Sequence, residues 1–159
     1  MGERSEAIAN DFEKAVAEFR ETIQQVPESK WSAVAEAEGW TVAQLAEHVA
    51  GQFPLEMEFI TAGAEGKDLP AYSWDDINNK NDTRAANNAS ATKEQVLSTL
   101  EQHAPNVTAY IRGLDDSQLD NKRPLGLANG AEVTTQQLLE GGVLIDHVRG
   151  HLASIRSAL

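Results

Sequence analysis

The stretch Trp40-Thr41-Val42-Ala43-Gln44-Leu45-Ala46-Glu47-His48-Val49 decides the fold class, because it carries a complete helix start followed by a helical period. Thr41 and Gln44 form a capping box, in which two side chains satisfy backbone donors that the first turn leaves orphaned. Trp40 and Leu45 stand at the flanking staple positions. Beyond the box, Val42, Leu45, Val49, Phe53, Met57 and Ile60 recur at steps of three or four and make one apolar stripe. Gly63 and Gly66 close it. Pro54 lies inside the pattern, so a kink or local break is expected there, since proline lacks the backbone donor and clashes with the preceding turn.

Outward from this segment, three more read the same way. Ile8, Phe12, Val16, Phe19, Ile23 and Val26 form a first stripe that Pro27 ends. Val96, Leu97, Leu100, Ala104, Val107, Ile111 and Leu114 form a third, with Pro105 as a second expected kink. Leu138, Ile145, Val148, Leu152, Ile155 and Leu159 form a fourth, running from about Thr134 to the end as a single helix. Thr92 with Gln95 and Thr134 with Gln137 repeat the capping box, and Val133 with Leu138 repeats the staple. No segment shows convincing strand alternation. The expected fold is all-α: a four-helix bundle over residues 1–159 as one domain, with a long crossover connection between helices two and three. That connection, roughly Lys67 to Ala91, is rich in Asn and Asp. A link so long covers a site or carries short helical turns of its own.

The 159 residues are 41% apolar, carry a net charge of -12 and include no cysteine. Such content supports a folded domain rather than an acidic tail. The missing thiol excludes disulfides, cysteine-ligated metals and a cysteine nucleophile. The acidic balance argues against nucleic acid and against anionic membrane surfaces. No run approaches the ~18 apolar residues of a membrane span. Met1 to Glu13 is charged and lacks the apolar core of a secretory signal, so a cytoplasmic location is expected.

Four histidines are present, and two of them stand as His147-x-x-x-His151. On a helix that spacing sets two imidazoles on one side, ~6 Å apart along the axis. Both then reach one ion through bonds of ~2.0–2.1 Å. Each falls at the border of its stripe, and so does His48 on helix two, where neighbouring helices meet around a pocket. Three neutral imidazoles with an open position make a catalytic kind of metal site. Alone, a pair at this spacing is a common accident, and a single border histidine is most simply a half-buried polar residue. His103, off its stripe, carries only that reading. Asp146 points away from the pair, whereas Glu140 lies on its side of the helix.

The motif Trp40 to Val49, together with Val133-Thr134 leading into Asp146-His147-Val148-Arg149-Gly150-His151, resembles the DinB-like (YfiT-like) metal-dependent family. The resemblance spans nearly the whole chain in the order and spacing of its helices. It implies a four-helix bundle with His48, His147 and His151 as ligands of one divalent transition metal ion, zinc or nickel first among the choices. It also implies the range of activities found in relatives: thiol-dependent transferases and isomerases that use mycothiol or bacillithiol, and members labelled hydrolases.

The expected function is a metal-dependent enzyme of the thiol S-transferase or hydrolase type, acting on a small molecule and using, in the first case, a low-molecular-weight thiol. In either reaction the ion activates a nucleophile. No side chain stands out as general base. In the Asn-rich connection, Trp74, Asp75, Asn78, Asn81 and Arg84 are candidates for the pocket mouth, Arg84 as a partner for a substrate carboxylate; each reads more simply as a solvated loop residue. Arg149 and Arg156 are read as charge balance near a helix C-terminus. The alternative from another class is a non-catalytic, metal-binding or stress-associated bundle. A third is a metal-free scaffold in which the three histidines never converge. Gly141, Gly142 and Gly150 cost ~1 kcal/mol each in helix propensity and suggest a close helix approach at a homodimer contact.

Overall fold

The computed structural model describes residues 2–159. Four long helices build the bundle: α1 (Glu3–Gln25), α2 (Val42–Ala64), α4 (Lys93–Arg112) and α7 (Ile145–Ser157). Both α4 and α7 pack on α1 and α2. Helices α1 and α2, adjacent in sequence, thus lie at opposite corners, whereas α2 and α4 are neighbours that start at the same end, where Trp31 accepts from the Ala43 backbone and donates to the Ala91 carbonyl, so a long crossover must return the chain between them. That crossover contains helix α3 (Trp74–Asn87), so the Asn-rich stretch is helical rather than a loop. Ser73 caps α3 by accepting from the Asp76 backbone, and Asp76 reciprocates. The same local chemistry that starts the long helices therefore nucleates the polar connection.

The boxes at Thr41, Thr92 and Thr134 each cap a helix as expected, the threonine accepting from the backbone of the residue three ahead. The four stripes meet in one core, where Phe12, Phe19, Phe53 and Ile60 are essentially inaccessible. Phe12 meets Phe53 edge-on, ring centres 5.6 Å apart. Neither proline breaks its helix: α2 runs through Pro54 and α4 through Pro105. Both prolines are exposed; the carbonyl that Pro105 leaves without its helical donor belongs to exposed Glu101, whereas for Pro54 it belongs to Ala50, which is fully buried.

Three expectations are corrected. The fourth segment is two helices, α6 (Thr135–Glu140) and α7, separated at Gly141–Leu144. A Cβ on Gly141 would come within 2.7 Å of the Gln137 carbonyl oxygen, whereas one on Gly142 or Gly150 would meet nothing. These glycines therefore make a chain break and leave open space; they do not mark a close approach of helices within the chain. Strands also exist: β1 (Val34–Ala35) pairs with β2 (Trp40–Thr41), and β3 (Lys122–Leu125) with β4 (Ala131–Thr134), both antiparallel. Two to four residues are too few to show a period of two. The second hairpin did leave one signal, the dipeptide Asn129-Gly130, whose left-handed backbone (φ 56° and 81°) is what a tight hairpin turn demands. Between them sits the short helix α5 (Asp116–Asp120).

Candidate metal centre and its pocket

His48 sits two turns into α2, buried to 3% exposure, and His147 and His151 sit on the facing side of α7. The three expected residues converge. The Nε2 atoms of His48 and His147 lie 3.1 Å apart, as do those of His147 and His151. One ligand atom from each of the three falls within 4.8 Å of the others. Trp40, the staple residue of the α2 start, meets the His48 ring edge-on at 5.2 Å between centres. The residue that fixes the helix entry also braces the imidazole.

Two carboxylates back this cluster. Glu38, in the β1–β2 turn, places Oε1 3.0 Å from Nδ1 of His151. Glu56, on α2, places Oε1 2.6 Å from Nδ1 of His147, although off the line of a good hydrogen bond, so its buried oxygens keep no in-line donor. A carboxylate accepts only, so Nδ1 of His151 carries the proton and Nε2 presents its lone pair to the cluster. Burial pushes the Glu56 carboxyl up, opposed by the neighbouring His147. Burial, with His147 and His151 beside it, pushes His48 down to about 2. Burial and His147 also lower His151, against the pull of Glu38.

These facts test whether the residues suit a metal ion. With their Nδ1 atoms turned to carboxylates, the two α7 histidines face each other with lone pairs at 3.1 Å. A proton on His48 satisfies one contact and leaves the other, and further protonation is opposed by burial. A cation removes the conflict. Two nitrogens each ~2.0–2.1 Å from one ion stand about 2.9–3.4 Å apart at ordinary coordination angles, which brackets the observed spacing. The donor set fits a divalent transition metal.

The cluster forms the floor of a cavity of about 660 Å³. Its apolar wall includes Leu55, Phe59, Ile77, Leu127, Leu138 and Val143, and its polar groups include Gln52, Asn78, Asn81 and Gln137. The Gln52 amide donates to Asn81 (3.2 Å). At the mouth the Trp74 indole donates to the Leu127 carbonyl at 2.9 Å, joining α3 to the β3–β4 turn.

Of the candidates in the connection, Trp74, Asn78 and Asn81 line this cavity and Asp75 and Arg84 do not. Arg84 is committed elsewhere: its Nε lies 3.1 and 3.0 Å from the two oxygens of Glu47, a carboxylate only 7% exposed. It is not available to a substrate carboxylate. Gly51 makes this pairing possible, because a Cβ there would collide with the guanidinium. Glu140 is exposed, outside the cavity, and accepts from Gln136 at 3.0 Å. His103 is half-buried on α4, and Asp146 is exposed. Arg149 does more than balance charge: it pairs in bidentate fashion with Asp11 (2.7 and 3.0 Å), tying α7 to α1.

Glu38, Glu56, Gln52 and Asp82 are site residues that sequence reasoning passed over. A signal existed for two of them. His48, Gln52 and Glu56 recur at steps of four along α2, a polar ladder down one face of the helix, and all three are buried. Glu38 gave none, since only the β1–β2 turn delivers it.

Residues 12–143 match the family described as the mycothiol maleylpyruvate isomerase N-terminal domain. The chain belongs to this family. Solved structures share its fold at low identity. One is YfiT from Bacillus subtilis, described as "a probable metal-dependent hydrolase with an unusual four-helix bundle topology", at 18% identity and TM-score 0.73, with 99% of this chain and 87% of that one covered. A second is the mycothiol-dependent maleylpyruvate isomerase itself, at 15% identity and TM-score 0.72. There 95% of this chain is covered but only 60% of the isomerase, so this chain spans less than two thirds of that protein. A third is the colibactin self-resistance protein ClbS in complex with double-stranded DNA, at 11% identity and TM-score 0.72, covering 97% of this chain and 94% of that one. No curated protein shows a match to the sequence. Among the described residues no helix is long and apolar enough to cross a membrane.

Proposed function

We propose that this chain is a divalent-metal-dependent enzyme that acts on a small molecule, with His48, His147 and His151 as the ligands and a reaction of the thiol S-transferase or hydrolase type. The observation that carries the reading is the convergence of three imidazole nitrogens, two of them on rings whose far nitrogens face carboxylates, on the floor of an open cavity. When bound, a divalent ion there lowers the pKa of a thiol or water that reaches it and polarises a substrate oxygen.

The chain's own residues supply the rest. Glu38 holds the His151 proton on Nδ1 and so fixes ring orientation and basicity, and Glu56 faces Nδ1 of His147 at 2.6 Å without an in-line hydrogen bond. The apolar wall limits water at the floor, which strengthens electrostatic interactions there. Gln52, held by Asn81, offers an amide beside the cluster for a substrate carbonyl or hydroxyl. Maleylpyruvate, the substrate in the isomerase's name, is a dicarboxylate and is not carried over, because no Lys or Arg lines this cavity.

A second reading, a non-catalytic metal-binding protein, draws on one observation: Glu38 and Glu56 are both turned to histidines, leaving no free buried acid or base in the cavity. Turnover separates the two. The metal-loaded protein is assayed for conjugation of mycothiol or bacillithiol to an electrophile and for ester and amide hydrolysis, beside His48→Ala. Turnover in the parent that His48→Ala loses supports the enzyme. A loss of stability in His48→Ala with no turnover in either supports the binding reading.

A further inference from the structure

The cavity's charge is as informative as its shape. Among the residues that line it, three carry carboxyl groups, Glu38, Glu56 and Asp82, and none is Lys or Arg. The basic residues nearby are engaged elsewhere. Arg84, one turn from Asn81, is matched by Glu47, and Lys80 lies over the Tyr72 ring at 5.3 Å. The Arg123 guanidinium is held by the Gly66 carbonyl. An anionic ligand would bring its charge into a partly dry space with no fixed cation to receive it, a costly desolvation. Even with a divalent ion on the histidines, its two charges stand against three carboxyl groups.

The remaining surface is that of a site for apolar matter. Aliphatic and aromatic side chains make up much of the lining, with two tryptophans, Trp40 and Trp74, at the floor and the mouth. Among them stand neutral amides from Gln52, Asn78, Asn81 and Gln137. A volume of about 660 Å³ is in the range that encloses a drug-sized molecule, on the order of 300–1,000 Å³.

From this we infer that the cavity selects an uncharged small molecule with an apolar body and a few neutral hydrogen-bonding groups, and rejects carboxylates and other anions. This rests on the proposed site for its location, since the ligand's reactive end meets the histidines, but its selectivity comes from the wall and not from the ion.

A matched pair of dyes tests it. N-phenyl-1-naphthylamine and 1-anilinonaphthalene-8-sulfonate share one ring skeleton and differ by a sulfonate. Their affinities are measured by fluorescence on the metal-stripped and the zinc-loaded protein. The uncharged dye is expected to bind at least about tenfold more tightly in both forms, a difference of ~1.4 kcal/mol. Leu127→Asp, on the exposed turn at the mouth, is expected to weaken it at least about fivefold, whereas Asn78→Arg, at a solvent-accessible position of α3 that lines the cavity, brings the sulfonate to within about threefold of it. Equal or tighter binding of the sulfonate to the parent overturns the inference, as does an uncharged dye indifferent to Leu127→Asp. Zinc binding is read separately by calorimetry: a protein that takes no zinc but keeps the tenfold preference loses the metal reading and retains this one. Zinc bound with no preference does the reverse.

Discussion

Outside the histidine cluster, Gly51 is the glycine at which an added Cβ would meet its nearest neighbour most closely. The Arg84 guanidinium occupies the space a Cβ would take and from there pairs with buried Glu47. Arg84→Ala leaves that carboxylate without a partner and is expected to cost about 2 kcal/mol. Gly51→Ala displaces the same guanidinium and should cost a similar amount, while the double variant costs little more than either alone, as a double-mutant cycle in chemical denaturation would read. Additive losses would mean the two do not act through one pairing. A pH dependence belongs to Asp11. Its hydrogen bond to Arg149 holds the carboxyl below the usual range. Its folded pKa is therefore depressed: the pair's contribution is complete above the unfolded value of ~3.9 and is lost as pH falls through the folded value. The pair is part-exposed, so Asp11→Asn is expected to lower stability at pH 7 by less than ~1 kcal/mol, with the gap to the parent closing as pH falls from the unfolded value through the lower folded one; a gap unchanged down to acid unfolding contradicts this. The histidines were legible at this scale because the i, i+4 spacing is a local pattern. Glu38 was not, because a turn and not a period delivers it to His151.

Among the elements, helix starts were far more legible than helix interruptions. A capping box is written in four consecutive residues, and those at Thr41, Thr92 and Thr134 each cap a helix. The break between α6 and α7 depends on how the chain turns at Gly141, and an unbroken apolar stripe across Leu138, Ile145 and Val148 hid it. The two glycines there should respond differently to a methyl group. Gly141→Ala forces a Cβ against the Gln137 carbonyl and is expected to destabilise by about 1–3 kcal/mol. Gly150→Ala, exposed within α7 with open space around it, is expected to stabilise by about 0.5–1 kcal/mol. Thermal unfolding of the two variants decides the matter; a destabilising Gly150→Ala would point to a contact of α7 outside the chain, the homodimer reading of these glycines. The polar crossover was the other half-legible element. Its length signalled a site, and α3 does line the cavity through Trp74, Ile77, Asn78 and Asn81. Its capping box at Ser73 uses Asp at the third position instead of Gln, which is why it did not stand out beside the other three.

For the whole molecule, the bundle was legible because four stripes without long strands leave few other ways to bury them, and the crossover followed from one long connection. What no single segment encodes is the cavity, which needs α2, α3, α7 and the β3–β4 turn at once. The net charge of -12 carries a prediction that sets this chain apart from its DNA-bound structural relative: no retardation of duplex DNA in a gel at low-micromolar protein and ~0.15 M salt, where phosphate binding would need a cationic face. A salt-sensitive shift would contradict it. The central claim, that three histidines from two helices hold one ion, is tested most directly by elemental analysis of the purified, untagged protein beside the His147→Ala/His151→Ala double variant, each after incubation with zinc and with nickel. The account predicts about one equivalent of metal in the parent, as a single site requires, and none in the variant, with both proteins folded by circular dichroism. No metal in the folded parent, or an equal amount in the folded variant, would contradict it.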